Sequence, residues 1–324
     1  MAAVFPLRER NENVTTKATL GDASVDSSGS PGATRRVANL AHHCGEYADE
    51  IVEHLLEREK TLHRDSSYLV KQDDVTERMR IILVDWLVDV HLKFKLHPET
   101  FFLAVDYVDR YLMVARGARS TLQLVGVCAM LLAAKHEEIW PPEVRECIYI
   151  SANTYTREEI LATERSIAAA LNFRLCTPTP YPFMSRVLDC VDATEDVRNL
   201  AAYCLDIAAL DYGSLQYLPS RIGFASVLIA NVVTINNKRQ SNALPALSLS
   251  SSDDSWEEAW PRDAAFYAKT DADQMETIAE CARGILRFAA TINSPNSRYH
   301  AVRRKFSSDR WGEVALRYLL PDTI

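Results

Sequence analysis

The sequence predicts an all-α fold made of two tandem five-helix bundles preceded by an N-terminal helix. Three observations predict it. Apolar residues recur at three- and four-residue spacing along most of the chain, alternating runs bounded by turns are absent, and the chain repeats itself at a displacement of 97 residues. Only 10 of the 324 residues are glycine, which disfavours a β-rich protein full of tight turns.

Helix-start signals mark the elements of the first bundle. Thr76 begins a segment with helical apolar spacing, and Pro98 occupies the first position of the next predicted helix. Residues 120–123 (Ser-Thr-Leu-Gln) and 156–159 (Thr-Arg-Glu-Glu) both fit a capping box, in which each end group satisfies an orphan backbone donor. The sequence therefore predicts five helices between Thr76 and Leu171.

The two halves of the chain are related by an internal duplication. In the 97-residue register, which holds without a gap from residue 86 to residue 134, the matched pairs include Leu103 with Leu200, Asp109 with Asp206, Gly126 with Gly223 and Leu131 with Leu228. The central segment of each copy, 124–134 and 222–232, is apolar nearly all round and must be buried on all sides. The register is lost near a Ser-rich insertion, which displaces the fourth helix of the second copy to about Thr270.

Composition divides the chain into four parts. Residues 1–36 are predicted to form a disordered tail, and residues 37–75 an N-terminal helix with a linker. The first bundle is predicted over residues 76–176 and the second over residues 177–320. A Ser-rich, acidic insertion at about 236–262 is predicted to be a solvated surface loop, because such loops are easily lengthened.

Charge and cysteine usage exclude several classes of protein. The net charge of −8 disfavours nucleic acid as the main partner, because phosphate binding needs a positive field. The seven cysteines lack metal-ligand spacing and predict reduced thiols in a cytosolic or nuclear protein. No apolar run is long enough to cross a membrane.

Motifs that suggest catalysis or metal binding are incomplete. His63-Arg64-Asp65 imitates the catalytic loop of protein kinases, but Val70 stands where that loop needs an asparagine. His136 could begin a zinc-binding helix, but Trp140 replaces the second histidine. We therefore predict no catalytic residues, no metal ligands, no cofactor and no enzyme activity.

Four segments in register carry a resemblance to a known family. They are residues 79–90 (MRIILVDWLVDV), 121–126 (TLQLVG), 131–144 (LLAAKHEEIWPPEV) and 154–173, which begins TYTREEIL and ends LNF. The chain resembles the A- and B-type mitotic cyclins over about residues 45–320. The resemblance implies a non-enzymatic regulatory subunit that forms a heterodimer with a cyclin-dependent Ser/Thr kinase, activates it and controls cell-cycle progression, in the nucleus and the cytoplasm.

The same resemblance implies a kinase-binding surface on the first bundle. Lys135 and Glu164 would be its polar anchors; on spacing alone, they are equally compatible with a surface salt bridge. Four further residues fall where cyclins supply apolar contacts to the kinase: His136, Ala168, Phe173 and Leu175. Cyclins commonly have an aromatic residue in place of His136 and a larger aliphatic one in place of Ala168, which suggests a partner whose regulatory helix also differs.

The resemblance further implies a docking groove for Arg-x-Leu segments of substrates and inhibitors. Met79, Leu83 and Trp86 form one helical stripe, which spacing alone would assign to the core. The side chain of Arg80, which lies between these residues in the sequence, is expected to point away from the groove. The positions that match the flanks of the groove are Asp89, Arg119, Gln123 and Ile150.

Two of these flanking positions have specific consequences. Asp89 stands where cyclins usually carry Glu or Gln, so its pairing with the arginine of a ligand is expected to be weaker or shifted. Gln123 has a competing structural role, because it would close the capping box that Ser120 opens.

The tail departs from the mitotic pattern. No Arg-x-x-Leu destruction signal occurs before residue 40, and Ser30, which precedes Pro31, is a candidate for proline-directed phosphorylation.

The alternative hypothesis from another class is a tandem transcription-factor scaffold that binds DNA and polymerase machinery. That class would be expected to show a basic face and a zinc ribbon, and the charge and cysteine spacing of this chain speak against both.

Overall fold

The structure is a computed structural model that describes residues 47–61, 65–247, 258–260, 264–265, 268–270 and 272–321. Within these ranges the chain forms α-helices and short 3₁₀ turns and has no strand, which confirms the all-α prediction. The predicted tail at residues 1–36, with Ser30, lies outside the described residues, as do residues 248–257 and 261–262 of the predicted insertion.

An N-terminal helix precedes the first bundle, and five helices form that bundle, as predicted. Helix α1 spans Ala48–Lys60. The bundle consists of α2 (Glu77–Phe94), α3 (Pro98–Val114), α4 (Leu122–Glu137), α5 (Val144–Ile150) and α6 (Arg157–Ala170).

The second half contains four longer helices and two short ones among its described residues. They are α7 (Pro180–Cys190), α8 (Glu195–Leu210), α9 (Pro219–Ser241), α10 (Ala272–Ile292), α11 (Ala301–Phe306) and α12 (Val314–Arg317). The helix predicted to begin at about Thr270 therefore begins at Ala272 and packs against α9.

Three of the predicted helix starts have the expected chemistry. The Thr76 hydroxyl accepts a hydrogen bond from the Met79 amide at 3.4 Å, and Pro98 occupies the first turn of α3. Thr156 and Glu159 form the reciprocal capping box, in which each side chain accepts from the backbone amide of the other.

The capping box predicted at Ser120 is wrong. A 3₁₀ turn over Arg119–Thr121 precedes α4, which begins at Leu122 with Thr121 as its N-cap and no side-chain capping bond. Gln123 therefore lies in the first turn of α4 and closes no capping box. A box that the sequence reading missed joins Glu143 to Glu146 at the start of α5, because the pattern sought there was Ser or Thr.

The central helix of each half is buried, as the apolar runs predict. In α4 the side chains from Leu124 to Ala134 are all buried, and in α9 those from Ile222 to Ala230 are. Helices α2, α3 and α6 pack around α4, and α7, α8 and α10 pack around α9. Each bundle therefore has one helix as its core.

The described residues of the predicted insertion are mostly exposed, but a few of them are anchored to the second bundle. Helix α9 continues to Ser241, past residue 236, and Leu247 and Trp260 are buried. The Asn231 side chain donates to the Ala259 carbonyl at 2.9 Å, so the described end of the insertion folds back onto α9. The sequence did not predict these buried apolar residues, because the surrounding segment is rich in serine and acidic residues.

The duplicated glycines allow close packing on both central helices. A Cβ atom on Gly126 would lie 2.7 Å from the end of the Leu83 side chain, and one on Gly223 would lie 2.6 Å from the backbone carbonyl oxygen of Pro180. A side-chain terminus can move, whereas the backbone of a packed helix cannot.

Gly223→Ala is therefore expected to destabilise the protein by about 1–3 kcal/mol, whereas Gly126→Ala is expected to change stability by less, since alanine favours a helix. Thermal unfolding of the two variants beside the wild type measures the difference. Equal melting temperatures for the two variants would contradict the packing described here.

The duplicated aspartates are both buried and both paired with a buried cation. Asp109 accepts from Arg80 Nε at 2.7 Å and from Nη2 at 2.8 Å, and also from the Tyr68 hydroxyl at 2.7 Å. Asp206 accepts from Lys305 Nζ at 2.6 Å. Burial raises the pKa of Asp206, and Lys305 opposes that rise.

Arg80 also joins the two bundles. Its Nη1 donates to the carbonyl oxygens of Ala209 and Leu210, at the end of α8, at 3.1 and 3.0 Å. The expectation that this side chain points away from the stripe of Met79 and Trp86 is confirmed by these contacts.

Candidate functional site

Lys135 and Glu164 meet at the surface of the first bundle. Lys135 lies in the last turn of α4 and Glu164 in the middle of α6, and the ammonium donates to Glu164 Oε1 at 2.5 Å. The lysine side chain is 44% exposed and the glutamate side chain 11%. The ammonium therefore has unused donors on its solvent side, whereas the carboxylate is largely buried beneath it.

Buried thiols support the helices that carry this pair. The Cys128 thiol donates to the Ile160 carbonyl at 3.4 Å and so links α4 to α6. Burial raises the pKa of both Cys128 and Cys147 to about 12, so both remain protonated at neutral pH. Both are fully buried and behave as core residues.

The other residues predicted for this surface differ in accessibility. His136 is exposed, Leu175 is half-buried and packs against the core, and Ala168 is buried. Phe173 is 73% exposed, an unusual state for a large apolar side chain. We call Lys135, Glu164, His136 and Phe173 the Lys135 surface.

Phe173 is displayed by a strained turn. Asn172 and Phe173 both have left-handed backbone conformations, with φ of 51° and 56°. The Phe173 amide donates to the Ala168 carbonyl at 2.9 Å, which closes the end of α6. A bulky residue in this conformation is costly, and such strain concentrates at functional sites.

Two further exposed apolar residues follow α4. Ile139 and Trp140 are 87% and 77% exposed. Glu138 fixes the start of this segment, because its Oε1 accepts from the His97 amide at 2.6 Å and from the Thr100 hydroxyl at 2.7 Å. The sequence reading missed their exposure, although the two prolines that follow already indicated a loop.

The stripe predicted on α2 is only partly accessible. Met79 and Trp86 are half-buried against the core, but Leu83 is 4% exposed and packs under Gly126, so its assignment to an exposed stripe is wrong. Ile82, which the sequence reading did not single out, is 51% exposed on the same side of the helix. We call Met79, Ile82 and Trp86 the α2 stripe.

The predicted flanking residues have individual environments. Gln123 and Ile150 are half-buried, and the exposed Arg119 donates through its backbone amide to Asp74 Oδ2 at 2.6 Å. Asp89 forms an ion pair with Arg304 of α11.

The second bundle does not repeat either surface. In the 97-residue register Trp86 matches Phe183 and Lys135 matches Val232, and both counterparts are buried apolar residues. At these two described positions the duplication therefore kept the fold, but the groups displayed by the first half are replaced by core residues.

Comparison with known protein families identifies both halves. The model of the N-terminal cyclin domain matches residues 50–176, and the model of the C-terminal cyclin domain matches residues 178–318. The chain belongs to the cyclin family. Cyclins are non-catalytic regulatory subunits of kinases, in agreement with the prediction that the chain is not an enzyme.

Its relatives include mitotic cyclins. The chain is 35% identical over 262 residues to the G2/mitotic-specific cyclin S13-7 of Glycine max, a match that covers 81% of this chain and 91% of that protein. It is 35% identical over 271 residues to the G2/mitotic-specific cyclin-A of Patella vulgata, covering 83% of this chain and 58% of that protein. The chain thus spans a little over half the length of the Patella protein.

A solved structure supports the fold. A viral cyclin from herpesvirus saimiri matches with a TM-score of 0.55 and 20% identity, covering 72% of this chain and 97% of that one. Among the described residues of this cyclin, no cluster of three metal-ligating side chains occurs, and no helix is long and apolar enough to span a membrane.

Proposed function

We propose that this cyclin binds and activates a cyclin-dependent Ser/Thr kinase through the Lys135 surface and so controls cell-cycle progression, in the nucleus and the cytoplasm. The observation that carries the proposal is the Lys135–Glu164 pair, whose lysine side chain is 44% exposed, on the same bundle as the exposed Phe173. At the position of the second bundle that corresponds to Lys135 stands Val232, a buried apolar residue.

The chemistry of the pair suits the docking of a helix. The Lys135 ammonium can donate to carbonyl oxygens at the end of a partner helix, and the Glu164 carboxylate can accept from its amides or cations. The Phe173 ring offers apolar area to the same partner. Because the pair forms before binding, little side-chain entropy is lost on docking.

Activation then follows from a shift in population. A kinase whose regulatory helix has two positions is activated when a partner binds one of them more tightly. His136 and the small, buried Ala168 leave less apolar area than cyclins usually present, so the kinase selected by this chain has a regulatory helix that differs correspondingly.

The heterodimer is tested by gel filtration of the purified chain with cyclin-free cyclin-dependent kinases, one at a time. One of them is expected to elute with the chain as a complex of one copy each. If every kinase elutes apart from the folded chain, binding is excluded for the set tested.

We also propose that the α2 stripe recruits Arg-x-Leu segments of substrates and inhibitors. Exposed or half-buried apolar side chains at Met79, Ile82 and Trp86 form a shallow apolar surface. Leu83 is buried beneath this surface, where it packs against Gly126 of α4 and holds α2 in place. The leucine of a docking segment would bury apolar area there.

Trp86→Ala and Ile82→Ala are expected to raise the KM for a substrate that carries an Arg-x-Leu segment by roughly five- to thirtyfold, which corresponds to the loss of about 1–2 kcal/mol of apolar contact. Phosphorylation of a short peptide without that segment should be unchanged. The steady-state kinetics of the kinase complex measure both.

Ile82 is the cleaner position, because Trp86 also packs against the core. Leu316→Ala, at an exposed leucine of α12, is the matched control and should alter neither substrate. Equal losses on both substrates would assign the stripe to the fold and remove the docking proposal.

A further inference from the structure

Helix α2 is bonded, on the side of the stripe, to a segment more than 200 residues away in the chain. Asp85 of α2 accepts from the backbone amides of His300 and Ala301, at 3.3 and 3.1 Å, where α11 begins. One turn further along both helices, Arg304 pairs with Asp89 through Nη2 and Oδ1. The two helices are thus joined by two acidic residues of α2.

Helix α11 holds Arg304 in place from beneath. Val302 and Phe306 are fully buried, and Lys305 makes its buried ion pair with Asp206 of α8. The Arg304 side chain itself is 61% exposed and that of Asp89 44%. The pair is accessible to a ligand, but its cation is supplied by a rigid part of the fold.

Asp89 lies three residues after Trp86, so it is on the same side of α2 and extends the stripe. It is the acidic group to which a cation of a docked segment would pair. In this chain the Asp89 carboxylate is already paired with Arg304. An arginine of the ligand must therefore displace Arg304 before its own ion pair with Asp89 can add to the binding free energy.

We propose that Arg304 is a specificity-determining residue of the docking surface and takes the place of the cation of the docked segment. This cyclin then selects segments by the apolar residue that contacts the α2 stripe, and a basic residue in the segment adds little. The inference rests on the proposed docking function of the stripe and specifies the chemical class of its ligand.

The test uses two fluorescent peptides that differ at one position, one with Arg-x-Leu and one with Ala-x-Leu. Fluorescence anisotropy gives the dissociation constant of each for the full chain, for Arg304→Ala and for Arg303→Ala. Arg303 is the matched control, because it is exposed on the same short helix and its loss changes the net charge equally.

For the wild type and Arg303→Ala, the two peptides are expected to differ by less than about twofold. For Arg304→Ala, the arginine peptide is expected to bind about fivefold more tightly than the alanine peptide, as for an accessible ion pair. Adding Asp89→Asn to Arg304→Ala should remove that preference, which assigns the effect to Asp89.

A preference of tenfold or more in the wild type that is lost in Asp89→Asn would overturn the inference, because Asp89 would then be free for the ligand. If the ratio of the two dissociation constants is the same in Arg304→Ala as in the wild type, the inference is also overturned. In that case, peptide binding that is lost in Ile82→Ala would still support the docking function. If neither peptide binds any variant, the docking function fails and this inference fails with it.

Discussion

Glu164→Ala is expected to weaken kinase binding by roughly ten- to a hundredfold and to remove activation at concentrations that just saturate the wild type. Charge-assisted hydrogen bonds contribute about 1.5–3 kcal/mol each, and this change removes the carboxylate that both accepts from a docking helix and orients Lys135 at 2.5 Å. Isothermal titration calorimetry with the partner kinase gives the affinity, and phosphorylation of a protein substrate gives the activation.

The variant should remain folded, because a partly exposed pair adds only about 0–1 kcal/mol to stability. Lys135→Ala is expected to weaken binding likewise but to cost more stability, because it leaves the largely buried Glu164 carboxylate without its cation. Glu158→Ala removes an exposed carboxylate from the first turn of the same helix and serves as the matched control, with wild-type binding expected. Full activation by both Glu164→Ala and Lys135→Ala would contradict the assignment of the Lys135 surface.

Asp109→Ala is expected to destabilise the protein by about 3–5 kcal/mol, because it leaves the guanidinium of Arg80 buried without a counter-charge. It also removes the acceptor of the Tyr68 hydroxyl. For a chain of this size the loss corresponds to a fall in melting temperature of roughly 6–15 °C. Differential scanning calorimetry measures it.

Asp73→Ala is the control for this change. Asp73 forms an ion pair with Arg116, as Asp109 does with Arg80. In the Asp73–Arg116 pair, however, both side chains are largely exposed. Its loss should change stability by less than about 1 kcal/mol. If Asp109→Ala melts within about 2 °C of the wild type, the buried pair does not stabilise the first bundle.

The fold was predictable from local patterns and from the duplication. The all-round apolar segments predicted the two central helices, α4 and α9, because a helix with no polar face has to be surrounded. Thr76 and Thr156 set the starts of α2 and α6 through interactions within one turn. Such short-range chemistry can be recognised in a sequence.

Long-range pairing and exact burial could not be predicted. Leu83 is buried because Gly126, on another helix, leaves room for it, and no spacing within α2 shows this. The ion pair of Asp89 with Arg304 joins residues 215 positions apart in the chain. The failure at Ser120 has a local cause, since a 3₁₀ turn shifted the helix start beyond the residue that fits the capping pattern.

The candidate site divides in the same way. Lys135 and Glu164 could be selected from the sequence only through the resemblance to cyclins, because their spacing is equally compatible with an ordinary salt bridge. The structure adds the exposure of Phe173 and its left-handed backbone, which depend on how α6 ends. Ile139 and Trp140 became candidates only when their exposure was seen.

The most direct test of the central claim is a titration of the purified chain into a cyclin-free cyclin-dependent kinase with which it co-elutes, with histone phosphorylation as the readout. Saturable stimulation on the order of a hundredfold, complete at one chain per kinase, is predicted if binding moves the kinase from about 1% active to nearly fully active. A complex that forms but leaves the rate of histone phosphorylation at its basal value would contradict the activating role.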